Sequence, residues 1–338
     1  MQKKQKKILV ATNHLSGVGG SELYTFDLIK ALALMGDFEL EYFTLDKGTI
    51  SEQIEEELQV PFMSHKKYDL IFANHNTTVK ELFNYGPIIQ ICHGTIPDLE
   101  QPSPLADYHI AISEEISQHL KELGYPNDVI LNGIDTQVKK PLLPVHKELS
   151  SVLSLCQSDQ ANAKLRAVCE MKGLQFQAYN KHKNPTHSIE QEINKFDMVI
   201  GIGRSIYDAM ACGRPCLIYD QRGYNGNKAD GYLRPENFSK YIKMNCSGRY
   251  LNRQYQEKEL IREIEKYNPE DGQKLREIAV SDLNADKMAS QLLDISHKLT
   301  WGNRLMKWKR YTQNTRLVKH VFLYRKLYQL TKNERFKK

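Results

Sequence analysis

Val199-Ile200-Gly201-Ile202-Gly203-Arg204-Ser205-Ile206-Tyr207-Asp208-Ala209-Met210-Ala211-Cys212-Gly213-Arg214-Pro215-Cys216-Leu217-Ile218-Tyr219-Asp220 spells a strand, a glycine turn, a helix and a second strand without a gap. The apolar run stops at two glycines, Arg204 opens a helical stretch, and Gly213 and Pro215 end it before the next apolar run. This is the β-α-β unit of a parallel sheet. In such sheets ligands lie beyond the carboxyl ends of the strands. There the glycines let the backbone approach an anion, while Arg204 adds a charge at a helix start that already favours one. The stretch therefore predicts donor contacts from Gly203, Arg204 and Ser205, with Arg204 on a diphosphate and Asp208, one turn on along the same face, on ribose hydroxyls. The competing reading is an Arg204–Asp208 surface ion pair, worth only about 0.2–0.5 kcal/mol.

The same rhythm extends in both directions. Upstream, short apolar runs at 8–12, 40–45, 70–73, 88–92, 108–112 and 129–131 alternate with amphipathic stretches such as 22–35 and 114–123. Residues 139–150, with Pro141, Pro144 and several lysines, interrupt the pattern as a linker would. Strand candidates then resume at 152–156, 174–179, 198–201 and 216–219, with 249–251 as a further one, and helices at 160–172, 188–195 and 205–212. Two α/β domains are predicted, 1–146 and 150–300, followed by a basic helical tail over 301–338.

The strand ends of the first half carry Asn13-His14, Asn74-His75-Asn76, His93-Gly94-Thr95, Ser113 and Asn132-Gly133. Between the first strand and its helix lies Ser16-Gly17-Val18-Gly19-Gly20-Ser21-Glu22, which can cradle a diphosphate or a reacting sugar, with Ser21 as a helix cap. It is not the dinucleotide fingerprint, because Glu22 stands where the third glycine would be. A bare strand-to-helix turn is the alternative. His93, leaving a strand beside a glycine, is placed to hydrogen-bond a sugar hydroxyl or move a proton; a structural histidine is the alternative. Asn132-Gly133 marks a positive-φ turn that presents amides and the Asn132 side chain between the domains; a plain turn is the alternative.

Composition limits the class. The chain has 338 residues with 41% hydrophobic content, enough for two cores. Its six cysteines lack metal-ligand spacing and suit a reduced cytoplasmic protein. The apolar run after the basic start is too short for a signal core, and no stretch reaches the roughly 18–20 apolar residues of a spanning helix. Charge is uneven: residues 301–338 hold twelve Lys/Arg against Glu334 alone, +11 out of a net +6, which leaves −5 for residues 1–300. Aromatic and aliphatic residues interleave with these cations, as in helices that lie on anionic membranes; packing on the first domain is the competing fate. No nucleic-acid module is present.

Taken in order, Gly19-Gly20-Ser21-Glu22, His93-Gly94, residues 110–113, Asn132-Gly133-Ile134-Asp135 and Asp208-Ala209-Met210-Ala211-Cys212-Gly213-Arg214-Pro215 resemble the retaining glycosyltransferases of family 4, over about residues 8–220. The resemblance implies a GT-B fold, two Rossmann-like domains facing across a cleft, with the nucleotide-sugar donor held mainly by the second domain and the acceptor mainly by the first. It implies no metal and no cofactor. Carried over by position, Gly19-Gly20 approach the donor phosphates, His93 contacts the transferred sugar, and Asp208 replaces a ribose-binding glutamate. The chain departs from the pattern at Ile200, where the family has its first glutamate, and at Gln157, Ser158 and Asp159, where it has an Arg/Lys pair. Arg204, aided by Lys181, Lys183 or Arg222, is the substitute cation. The expected function is sugar transfer to a glycan or lipid-linked acceptor in cell-surface polysaccharide synthesis, at the inner face of the membrane. A non-catalytic GT-B subunit that binds a nucleotide sugar or a partner transferase is the rival, and a sugar epimerase of the same architecture is a third reading.

Overall fold

The computed structural model describes residues 5–180 and 188–299, with Leu305 and Lys307 beyond them. Lys181, Lys183 and nearly all of the basic tail lie outside the described residues.

The first half contains β1 (Lys6–His14), α1 (Gly20–Met35), β2 (Phe38–Asp46), α2 (Thr49–Glu56), β3 (Leu70–Asn74), α3 (Asn76–Leu82), β4 (Ile88–Cys92), β5 (Tyr108–Ala111), α4 (Glu114–Glu122) and β6 (Asn127–Val129). Its six strands pair in the order β2-β1-β3-β4-β5-β6, every neighbour parallel. Because both faces of such a sheet are covered, its central strands β3 and β4 are mostly apolar and buried at every position. Ile8 and Val10 of β1 share a core with Tyr24, Leu28 and Ile29 of α1, whereas Leu9 and Ala11 pack with Val79 and Leu82 of α3. β6 begins earlier than the apolar run suggests, since it pairs through Asn127 and Asp128 at the sheet edge.

The second half contains β7 (Ser151–Ser154), α5 (Asp159–Met171), β8 (Gln175–Ala178), α6 (Ile189–Ile193), β9 (Met198–Gly201), α7 (Arg204–Ala211), β10 (Cys216–Arg222), β11 (Gly226–Tyr232), α8 (Phe238–Tyr241), α9 (Glu257–Ile264), α10 (Pro269–Asp282) and α11 (Ala285–Ile295). The strands run β11-β10-β9-β7-β8, and β11 alone is antiparallel, turning back from β10 as a hairpin. This strand was not foreseen, because its sequence, Gly226-Asn227-Lys228-Ala229-Asp230-Gly231-Tyr232, has little apolar alternation. Residues 249–251, expected as a strand, form a turn instead.

A second correction concerns the chain's return. Residues 285–295, assigned from sequence to the second domain, form α11, and Ala285, Met288, Ala289, Leu292 and Ile295 join the first domain's core beside Ile8 and Leu28. The outgoing and returning segments touch: Ile134 donates its amide to the Leu283 carbonyl and Ala285 donates to Ile134. Gly133 is required there for space. A Cβ would stand 2.8 Å from the Ala285 Cα and 2.9 Å from the Met288 Cβ. The positive φ expected at Asn132-Gly133 is not found. Among the described residues no helix is long and apolar enough to cross a membrane. All six cysteines are buried and unpaired.

Candidate functional site

Three histidines gather at the carboxyl end of the first sheet. His14 ends β1, His75 follows β3 and His93 follows β4; His14 stacks on His75 with centroids 5.8 Å apart, and His75 lies 6.4 Å from His93. A hydrogen-bond chain sets the tautomer of His93. Thr25 Oγ1 donates to the Ser21 carbonyl (2.7 Å), so it accepts from Asn74 Nδ2 (2.9 Å). That leaves Asn74 Oδ1 to accept from His93 Nε2 at 2.7 Å. His93 Nδ1 is then the unprotonated nitrogen, able to accept a hydroxyl hydrogen. Burial, with His75 close by, lowers the His93 pKa to about 3. His75 takes a hydrogen bond from the Asn13 amide at 3.3 Å, and burial lowers its pKa to about 4. Both pKa values lie well below 7, so each imidazole is held in its neutral form there, in which His93 Nδ1 can accept a hydrogen bond.

The glycine loop differs from expectation. Gly19, not Ser21, occupies the cap of α1 and makes no side-chain bond; Ser21 lies in the first turn and donates to Glu22 Oε2 at 2.7 Å. Glu22 is 5% exposed and folds back over the loop, so that a Cβ on Gly19 would meet its Oε2 at 2.6 Å. Burial alone would raise its pKa, yet hydrogen bonds from His14 (3.1 Å) and Ser21 outweigh burial and keep it low. A diphosphate at Gly19-Gly20 would meet this ionised carboxylate, whereas sugar hydroxyls could donate to it. Gly20 itself is open to space.

Arg204 does not stand free at the start of α7. It is 9% exposed, and its Nη2 donates to Asp27 of α1, in the other domain. Nη1 donates to Asn132 Oδ1 (3.2 Å) and the Gly133 carbonyl (3.3 Å). Asp208, 4% exposed, lies 4.0 Å from Arg204 Nε and 3.8 Å from Lys139 Nζ. The result is a buried network of four charges, Asp27, Arg204, Asp208 and Lys139, rather than a surface ion pair. Burial works against the Arg204 charge, but Asp27 and Asp208 more than offset it; burial pushes the Asp208 carboxyl up despite Lys139 and Arg204. Asp27 and Lys139 were missed. The available signal was position: Asp27 falls on the buried face of α1 between Tyr24 and Leu28, where a carboxylate requires a partner.

Around α7, Gly203 has φ 57° and donates its amide to Cys246, a geometry that favours glycine, while Ser205 is half-buried in the first turn. At the end of β7, Ser158 caps α5, and the Gln157 amide donates to Asp220 Oδ2 at 3.3 Å. Arg222 brings a cation here, its Nε 2.8 Å from the same Asp220 oxygen. Ile200 is fully buried in β9. From the tail, Lys307 pairs with Asp107 of the first domain at 2.8 Å. Among the described residues no group of His, Cys, Asp and Glu has the arrangement to hold a metal ion.

No family model matches the chain, and no curated protein matches it in sequence. Solved structures do match. A glycosyltransferase from Rickettsia africae ESF-5 superposes with a TM-score of 0.58 at 13% identity, covering 88% of this chain and 99% of that one. The catalytic domain of starch synthase IV from Arabidopsis thaliana, bound to ADP and acarbose, gives 0.53 at 10% identity over 88% and 99%. A Listeria monocytogenes protein described as a UDP-N-acetylglucosamine 2-epimerase gives 0.54 at 12% identity over 86% and 95%. At these identities the likeness shows architecture: the chain has the GT-B fold, as the sequence resemblance implied. That architecture is common to a transferase and to a protein described as an epimerase.

Proposed function

We propose that the protein is a glycosyltransferase that moves a sugar from a nucleoside-diphosphate sugar to a glycan or lipid-linked acceptor in cell-surface polysaccharide synthesis. The observation that carries this reading is the way the two parallel-sheet domains meet. Asp27, on α1 of the first domain, bonds Arg204, at the start of α7 just beyond the carboxyl end of β9, and Asn132 of the chain crossing bonds the same guanidinium. The three transferase-like and epimerase-like neighbours support the architecture, and the ADP in one of them supports a nucleotide ligand.

In this reading the diphosphate lies at the start of α7, near Gly203 and the Ser205 hydroxyl, where the helix start favours an anion. Arg204 supplies charge from behind, shared with Asp27 and Asp208, to stabilise the departing phosphate. Asp208 and Asn132 line the same junction. The Gly19-Gly20-Ser21 loop, with Glu22, faces the transferred sugar, and His93 Nδ1 accepts from one of its hydroxyls. Retention of anomeric configuration and independence from metal follow from the family resemblance. The basic residues of 301–338 hold the protein at an anionic inner membrane surface, near a lipid-linked acceptor.

The test is incubation with UDP-, GDP-, ADP- and CMP-sugars, measuring binding and slow hydrolysis, with cell extract as acceptor. One donor should bind and turn over, and His93→Asn should slow turnover about tenfold, the worth of one hydrogen bond. A free 2-epimer formed from the donor in place of transfer would defeat the proposal in favour of epimerisation. Binding without turnover would favour the non-catalytic subunit, a reading supported by Ile200, an apolar core residue where the family has its first glutamate.

A further inference from the structure

Asp27 makes none of the donor contacts above, yet it forms a buried charged link between the domains. It is 4% exposed, and an unpaired carboxylate at that depth would be strongly unfavourable. The cation that meets it stands 177 residues along the chain, on the opposite domain. Arg204 also binds Asn132 and Gly133, so one side chain gathers α1, the chain crossing and α7. Two atoms of the network remain buried without a hydrogen bond, Arg204 Nε and Asp208 Oδ1, 4.0 Å apart. A small rotation would join them. Arg204 thus has a competing partner on its own helix, and Asp27 is what holds it across the domain boundary.

We propose that Asp27 is a positioning residue that acts through Arg204, fixing the start of α7 against the first domain so that the two sheet edges meet over the donor in one register. Its effect on turnover rests on the nucleotide-sugar reading; its effect on the junction does not. Without the Asp27 charge, Arg204 turns to Asp208, its bonds to Asn132 and Gly133 loosen, and the domains lose their fixed alignment. A donor held mainly by the second domain would still bind, but its sugar would be misplaced relative to His93.

The experiment compares full-length wild type, Asp27→Asn, Arg204→Lys and the double variant. In ligand-free protein, amide exchange in Asp27→Asn should quicken at residues 131–135 and 203–206 while β3 and β4 stay protected. With whichever sugar of the UDP, GDP, ADP and CMP panel wild type hydrolyses fastest, kcat should fall about tenfold or more with KM within about threefold. The double variant should be no slower than Arg204→Lys alone, because both act through one contact. Unchanged exchange at the junction overturns the proposal. So do quickened exchange throughout the sheet, equal losses in kcat and donor affinity, or multiplied effects in the double variant. If wild type hydrolyses none of the sugars, the functional reading fails, and the exchange pattern alone decides the role of Asp27.

Discussion

Where α1 meets α7, Asp27 and Arg204 are both more than nine-tenths buried; where α4 meets the 243–249 segment, Arg249 grips Glu115 with two bonds, of 2.7 and 2.5 Å, and Lys243 pairs with Glu114 at 3.2 Å, all nearer to water. The chemistry is the same, carboxylate against cation across the domain boundary, but the surroundings reverse its weight. In the buried contact a missing partner strands a charge in low dielectric, whereas at the rim water replaces it. The buried contact therefore sets how the domains align, and the rim adds modestly to how firmly they hold.

The largest effect should come from Arg204→Ala. Besides removing the charge proposed to act on the donor, it would leave Asp27 and Asp208 buried with Lys139, 3.8 Å from Asp208, as the nearby cation. A loss of about 3–5 kcal/mol is expected, read as a lower urea midpoint. A midpoint unchanged from wild type would mean the network is not buried as described, and the comparison between the two contacts would collapse.

Gly133→Ala probes the same junction through packing instead of charge. Its new methyl would press on the Ala285 backbone and Met288, where the outgoing and returning chains cross, and overpacking of that kind costs about 1–3 kcal/mol. The same urea midpoint measures it. A neutral outcome would show that α11 can slide on the first domain.

Neither contact contains a histidine, so acid separates both from the first domain's edge. Unfolded, His75 has a pKa near 6.5; folded, burial holds it at about 4. Between those values the unfolded chain binds more protons, so stability is fully present above pH 6.5 and falls as pH drops toward 4, by up to about 1.4 kcal/mol per unit. His93 adds in the same direction. Urea midpoints at pH 7.5, 6 and 5 should show this slope in wild type and in Asp27→Asn alike, and a shallower one in His75→Asn. A slope that vanishes in Asp27→Asn would place the acid sensitivity at the junction instead.

The parts legible in the sequence were those governed by local pattern. Alternating strands and helices, the glycine before α7 and the polar strand ends follow from hydropathy and backbone preference, and residues 8–12, 88–92 and 198–201 lie within or match β1, β4 and β9. What was hidden depends on distant residues. β11 is a strand because β10 offers an edge, not because Gly226–Tyr232 has strand composition. The return of α11 to the first domain is set by Met288 and Leu292 finding Leu28 and Ile8, more than 250 residues away. Arg204 was recognised as important for its place beside two glycines, but its partner could not be chosen: Asp208 was near in sequence, and Asp27 is near in space.

The smallest effect belongs to Lys243→Ala. Its side chain is 47% exposed and that of Glu114 60%, so the pair is screened by water and salt and worth about 0–0.5 kcal/mol. Arg249→Gln should cost more, near 1 kcal/mol, because Arg249 and Glu115 are 23% and 19% exposed and the guanidinium also bonds Asn225 at 3.2 Å. Measured at low and high salt, Lys243→Ala should approach wild type as salt rises, while the cost of Asp27→Asn should persist, since ions cannot screen a pair they cannot reach. A salt response shared by both variants would mean that water enters the Asp27–Arg204 contact, and the two junctions would then differ in degree rather than in kind.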